Sequence, residues 1–128
     1  MKEKRWSNTV CIDFDGVISE FGNDRAGQLV EGVLDGLTRL IEAGWYIEVF
    51  SGRSATIAGR RFMWEYFKVR LPELTSHIVS NRINFPSDKP IAKAYIDDRG
   101  ITFTGWADIT PELLESFRAW WQHPASHA

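Results

Sequence analysis

The chain has 128 residues, room for one ordinary domain. Hydrophobic residues make up 44% and charged residues 25%, a balance that disfavours disorder, collagen and coiled coil. With 15 basic and 17 acidic residues the formal net charge is −2, so general binding to a nucleic-acid backbone is not expected.

In chain order, the charged stretch Met1 to Trp6 followed by Ser7-Asn8-Thr9 does not read as a secretory signal. No apolar run approaches the roughly 20 residues needed to span a bilayer. The expectation is a cytoplasmic protein, away from the membrane, with 1–128 as one domain. Val10-Cys11-Ile12 is a short apolar run stopped by Asp13-Phe14-Asp15-Gly16 and predicts a buried strand. Cys11, the one cysteine, excludes an internal disulfide and is expected to be an inert thiol within that strand. Leu29, Val33, Leu37 and Ile41, with Val30, Leu34 and Leu40 beside them, predict an amphipathic helix closed by Gly44. Trp45 to Phe50 predicts a second strand, punctuated by Ser51-Gly52.

Residues 54–69 predict a second helix with Ile57, Trp64 and Phe67 on its buried face and Arg60, Arg61, Glu65 and Lys68 on another. His77 to Val79 predicts a third strand, Ala94 to Asp97 a fourth and Ile101 to Trp106 a short fifth. Thr110 before Pro111 predicts the start of a final helix buried through Leu113, Leu114, Phe117, Trp120 and Trp121. This alternation of strands and helices predicts an α/β fold of Rossmann-like, three-layer type, a mostly parallel sheet with helices on both faces. Ligands in such sheets bind beyond the carboxyl ends of the strands.

Three predicted strand ends carry unusual polar residues. Asp13 and Asp15, at i and i+2, point to one side while Phe14 points to the other. Asp97-Asp98 brings more acid to the same edge. Carboxylates so close repel unless a proton or cation intervenes, and Mg²⁺ is a hard cation that leaves room for phosphate and water. Ser51-Gly52-Arg53 offers a hydroxyl and backbone N–H groups at the start of a helix, a cradle for an anion. Lys89, in a loop before the fourth strand, adds positive charge. Each feature has a plainer reading. Asp13/Asp15 and Asp97/Asp98 can be turn formers, Ser51 a helix cap and Lys89 a solvated charge. The basic stretch Arg53, Arg60, Arg61, Lys68 and Arg70 reads as a solvated helix face, with a secondary anion surface as the alternative.

Cys11-Ile12-Asp13-Phe14-Asp15-Gly16-Val17, Phe50-Ser51-Gly52-Arg53, Lys89 and Tyr95-Ile96-Asp97-Asp98 resemble the four motifs of the haloacid dehalogenase (HAD) superfamily of phosphohydrolases, over residues 10 to about 104. The resemblance implies a Mg²⁺-dependent phosphatase acting on a phosphomonoester. It makes Asp13 the nucleophile that forms an aspartyl-phosphate, and Asp15 the general acid and then base. It gives Mg²⁺ to Asp13, the Asp15 backbone carbonyl and Asp97, with Asp98 in support. It gives the transferring phosphoryl group to Ser51, Gly52 and Lys89. Asp15 points to phosphate chemistry, because the dehalogenase branch lacks an acid there. The interval Lys89–Asp97 is shorter than in many relatives, which place a full helix between. Lys93 competes with Lys89, which is preferred because Pro90 can open a short helix carrying Lys93 outward. The intervals Asp15–Ser51 and Ser51–Lys89 leave no room for a folded cap, so the resemblance implies a minimal, cap-less member with an open mouth. A phospho-ligand-binding or partner-binding protein without useful catalysis, and a phosphotransferase or mutase, remain alternatives. The substrate, a small phosphorylated molecule or an exposed phosphate of a larger one, is unspecified, and a homo-oligomer is left open.

Overall fold

The structure, a computed structural model, describes residues 2–20, 27–97 and 101–116. Four strands, β1 (Thr9–Ile12), β2 (Tyr46–Val49), β3 (Ile83–Asn84) and β4 (Ala94–Ile96), form an all-parallel sheet in the order β3-β2-β1-β4. The chain moves outward from β1 through β2 to β3, then crosses back to place β4 on the other flank of β1. That reversal opens a crevice at the carboxyl ends of β1 and β4. β1 is central and buried along its whole length, which suits its run of β-branched and small apolar residues.

Strand alternation sorts the sheet into two faces. Val10 and Ile12 of β1, Ile47 and Val49 of β2, Ile83 of β3 and Ala94 and Ile96 of β4 lie in one apolar core cluster. Helices α1 (Val33–Glu42), α2 (Ile57–Arg70) and α4 (Pro111–Ser116) add Leu37, Leu40, Met63, Phe67 and Leu114 to that cluster. The opposite face carries Thr9, Cys11, Tyr46, Glu48, Asn84 and Tyr95. Against it lie a 3-10 turn, Lys2–Asn8, and the loop 85–93. Thr9 Oγ1 donates to the Arg5 carbonyl at 2.9 Å, the Arg5 guanidinium lies 4.1 Å from the centre of the Tyr46 ring, and the Tyr95 hydroxyl donates to the Pro90 carbonyl at 2.8 Å. A cavity of about 480 Å³ opens here, lined among others by Arg5, Trp6, Glu48 and Asn84. Burial pushes the Glu48 carboxyl above its ordinary range, against the opposing pull of an Asn84 amide at 2.8 Å and of Arg5.

Several sequence expectations change here. The first helix begins at Val33, not Leu29, because Gly32 sits at φ +87°. Val30 instead donates to the Ile18 carbonyl at 2.9 Å and Glu20 to that of Gln28 at 2.8 Å, an antiparallel pair after β1. Gly44, at φ +98°, closes the helix as expected. In α2 the buried residues are Met63, Tyr66 and Phe67. Ile57 is 76% exposed because it sits in the first turn, ahead of the core, and Trp64 is exposed with the Lys68 ammonium 5.0 Å from its ring centre.

His77 to Val79 is not a strand but part of α3 (Thr75–Val79); the third strand lies further on, at Ile83–Asn84. The signal was the helical spacing of Leu71, Leu74 and Ile78, which turns all three toward the core. Ile101 to Trp106 is not a strand either. Ile101 makes a single bridge to Ile96, after which the chain turns at Gly105 into a 3-10 turn, Trp106–Asp108. The final helix starts as expected, with the Thr110 hydroxyl accepting from the Leu113 N–H at 3.2 Å. Phe117, Trp120 and Trp121 lie outside the described residues. No helix among the described residues is long and apolar enough to cross a membrane.

Candidate active site

The end of β1 is shaped by backbone hydrogen bonds. The Asp13 N–H donates to the Ile96 carbonyl at 3.2 Å, which ties the tip of β1 to β4. The Asp13 carboxylate accepts from the Phe14 N–H at 2.8 Å. The Phe14 carbonyl accepts from Val17, Ile18 and Ser19, and Gly16 turns the chain at φ +87°. Phe14 is fully buried and meets Tyr66 edge-on at 5.2 Å. Asp13 and Asp15, on either side of it, remain half-buried, as the i, i+2 spacing expects.

The end of β2 is a capped turn. The Ser51 hydroxyl accepts from the Arg53 N–H at 3.1 Å, and the Ser54 hydroxyl accepts from the Ser51 N–H at 3.0 Å, a reciprocal capping box for the 3-10 turn Gly52–Ala55. Ser51 also lines a cavity of about 180 Å³ together with Cys11, Asp13, Phe50, Gly52, Lys89 and Asp97. Cap and cavity residue are thus one and the same.

Lys89 approaches from the loop 85–93. Its ammonium lies 3.5 Å from Asp97 Oδ2 and 5.0 Å from the centre of the Tyr95 ring. The short helix expected at Pro90 does not form. The Tyr95 hydroxyl fixes this loop instead, donating to the Pro90 carbonyl and accepting from the Ala92 N–H at 3.0 Å. The Lys93 backbone N–H donates to the Thr9 carbonyl at 2.8 Å, beside the start of β1 and away from the Asp13 end. Asp98 lies outside the described residues.

A neighbouring cavity of about 230 Å³ is lined by Asp13, Asp15, Gly16, Val17, Asp97, Thr102 and Phe103. Asp13 and Asp97 therefore border both cavities, although they come from different strands. Among the described residues no group of three or more acidic, histidine or cysteine side chains is arranged to hold a metal ion. The pair Asp13 and Asp97 nevertheless suits Mg²⁺, which takes one or two carboxylates and completes its shell with water and phosphate oxygens. The Asp15 carboxylate is engaged elsewhere: Arg53 Nε and Nη2 donate to its two oxygens, each at 3.1 Å. Burial pushes the Cys11 thiol up to about 12, against a smaller downward pull from Lys89, so it is a protonated wall of the cavity at neutral pH.

Sequence reasoning placed Arg53 in the Ser51-Gly52-Arg53 turn and, with the other basic residues, on a solvated helix face or a secondary anion surface, and did not connect its side chain to Asp15. The available signal was its position directly after Ser51-Gly52 at a strand end, where a side chain can reach the neighbouring strand's loop. Thr102 and Phe103 were also not singled out, because the segment was read as a strand. The chain matches no model of a known protein family, and neither the curated proteins nor the solved structures contain a match to it.

Proposed function

We propose that the chain is a Mg²⁺-dependent phosphohydrolase of HAD type, acting on a phosphomonoester through an aspartyl-phosphate on Asp13. One observation carries the reading: Asp13, Ser51, Gly52, Lys89 and Asp97, from separate segments, border a single cavity of about 180 Å³ beyond the strand ends. The strand order, reversing beside β1, supports a Rossmann-like arrangement without a cap, although the second layer of helices expected on the other sheet face is represented here by the 3-10 turn Lys2–Asn8 and the loop 85–93. A cytoplasmic location, with a phosphorylated small molecule or the exposed phosphate of a larger one as substrate, belongs to the same proposal.

In this mechanism Ser51, Gly52 and Lys89 hold the phosphoryl oxygens and set the phosphorus in line with Asp13. The Asp13 carboxylate attacks phosphorus as the ester P–O bond breaks, and Asp15 gives the leaving oxygen a proton. Asp15 then takes a proton from water as that water attacks the phosphorus and frees Asp13 and phosphate. Asp13 and Asp97, with the Asp15 carbonyl and Asp98, would hold Mg²⁺, which supplies charge neutralisation of the phosphoryl oxygens. Lys89, 3.5 Å from Asp97, offsets repulsion between the carboxylates.

A second reading, a protein that binds phosphorylated ligands without useful turnover, draws on the Asp15–Arg53 pair. Both Asp15 oxygens act as acceptors there, and neither is set to donate a proton. Phosphate release from an aryl phosphate panel separates the two. The proposal expects release that EDTA abolishes and that Asp13→Asn removes while circular dichroism stays unchanged. Tight binding of the panel without release supports the second reading instead.

A further inference from the structure

Arg53 holds together three parts of the site. Its backbone N–H orients the Ser51 hydroxyl at 3.1 Å, while its side chain holds both oxygens of Asp15. The guanidinium is fixed against an aromatic wall, 4.6 Å from the centre of the Phe62 ring and 5.7 Å from that of Phe14. Its backbone is fixed too. A Cβ at Gly59 would strike the Arg53 carbonyl, so α2 approaches this turn as closely as a chain can. A guanidinium has five N–H bonds, and Asp15 uses two. The others meet no protein acceptor among the described residues, and the side chain keeps 21% of its surface exposed.

We propose that Arg53 selects phosphomonoesters whose leaving group carries a second anionic group, held by the guanidinium donors that Asp15 leaves unused. The inference rests on the phosphohydrolase reading. Asp15 must meet the leaving oxygen, so a guanidinium bonded to Asp15 stands beside the leaving group and not beside the attacking carboxylate. A carboxylate or second phosphate there meets the guanidinium N–H groups that Asp15 leaves unused, in the planar geometry a guanidinium offers an anion. With a neutral leaving group those donors meet no anion on the substrate. Arg53 is thus a positioning residue for Asp15 and a recognition residue for the substrate.

The test compares 2-phospholactate with isopropyl phosphate, which differ by one carboxylate, using the full chain with Mg²⁺. The expected result is a kcat/KM about tenfold or more higher for 2-phospholactate, the scale of one charge-assisted contact. Arg53→Gln should bring that ratio close to one, with the loss for 2-phospholactate exceeding any fall that both substrates share, since only 2-phospholactate carries the second anion. Arg53→Lys keeps the charge but not the two-pronged geometry and should retain only part of the preference; it serves alone if the Gln variant fails to fold. A wild-type ratio near one, or an equal fall for both substrates in either variant, overturns the inference while leaving the phosphohydrolase reading intact. Hydrolysis of neither ester by the wild type, and of no aryl phosphate, overturns both.

Discussion

Trp106→Phe probes the contact that joins the C-terminal part of the chain to the loop after β1. Trp106 is 2% exposed, and its indole N–H donates to the Val17 carbonyl at 2.9 Å in a buried setting. The ring packs edge-on to Phe103 at 5.6 Å and lies where a Cβ at Gly36 of α1 would be, so α1 has no slack to close on a smaller ring. Phenylalanine removes the donor and leaves a buried carbonyl without its partner, which costs about 1–3 kcal/mol. The missing part of the indole adds about 1–2 kcal/mol of lost packing. The sum, about 3 kcal/mol, corresponds to a fall in Tm of about 12 °C for a chain of this size. Urea and thermal unfolding followed by far-ultraviolet circular dichroism measure it, since the variant itself alters tryptophan fluorescence. A loss below about 1 kcal/mol would refute the reasoning, because it would mean that the carbonyl finds another donor or that the ring is not confined.

Three more outcomes follow from named contacts. Because the Glu48 carboxyl is raised in the fold, its stabilising share is greatest below its ordinary value of 4.5 and is lost as pH rises through the folded value. The stability of the wild type relative to Glu48→Gln should therefore fall from acid toward neutral pH; a flat or rising difference contradicts the burial argument. Cys11 should resist iodoacetamide in the native state and react on unfolding, as mass spectrometry can follow; fast native labelling at neutral pH would contradict a thiol raised to about 12. Lys89→Met should weaken inhibition by inorganic phosphate about tenfold or more, by removal of one charge-assisted contact, and unchanged inhibition would show that the lysine serves Asp97 alone.

How much was legible depended on the kind of signal. The central strand and the polar residues at its end were readable because a short apolar run stopped by Asp-Phe-Asp-Gly leaves few alternatives. The close of α1 at Gly44 and the start of α4 at Thr110 were readable for the same reason, a local rule tied to one residue type. Errors arose where tertiary packing decided. Leu29 and Val30 fit a helical stripe, yet Gly32 breaks it and they pair with the segment after β1. Ile78 and Val79 look like strand formers, yet Leu71 and Leu74 before them set a helical repeat facing the core. At the site, the convergence of Asp13, Ser51, Lys89 and Asp97 follows from strand ends meeting at one edge of a parallel sheet. The partnership of Arg53 with Asp15 does not, because it depends on a side-chain direction that spacing alone does not set.

The account rests most heavily on Asp13 as the group that receives the phosphoryl. Acid quenching during turnover of an aryl phosphate with Mg²⁺, followed by peptide mass spectrometry, tests this directly. The account predicts a phosphoryl adduct on Asp13 that EDTA and Asp13→Asn both remove. An adduct on another residue, or phosphate release that persists in Asp13→Asn, would contradict it.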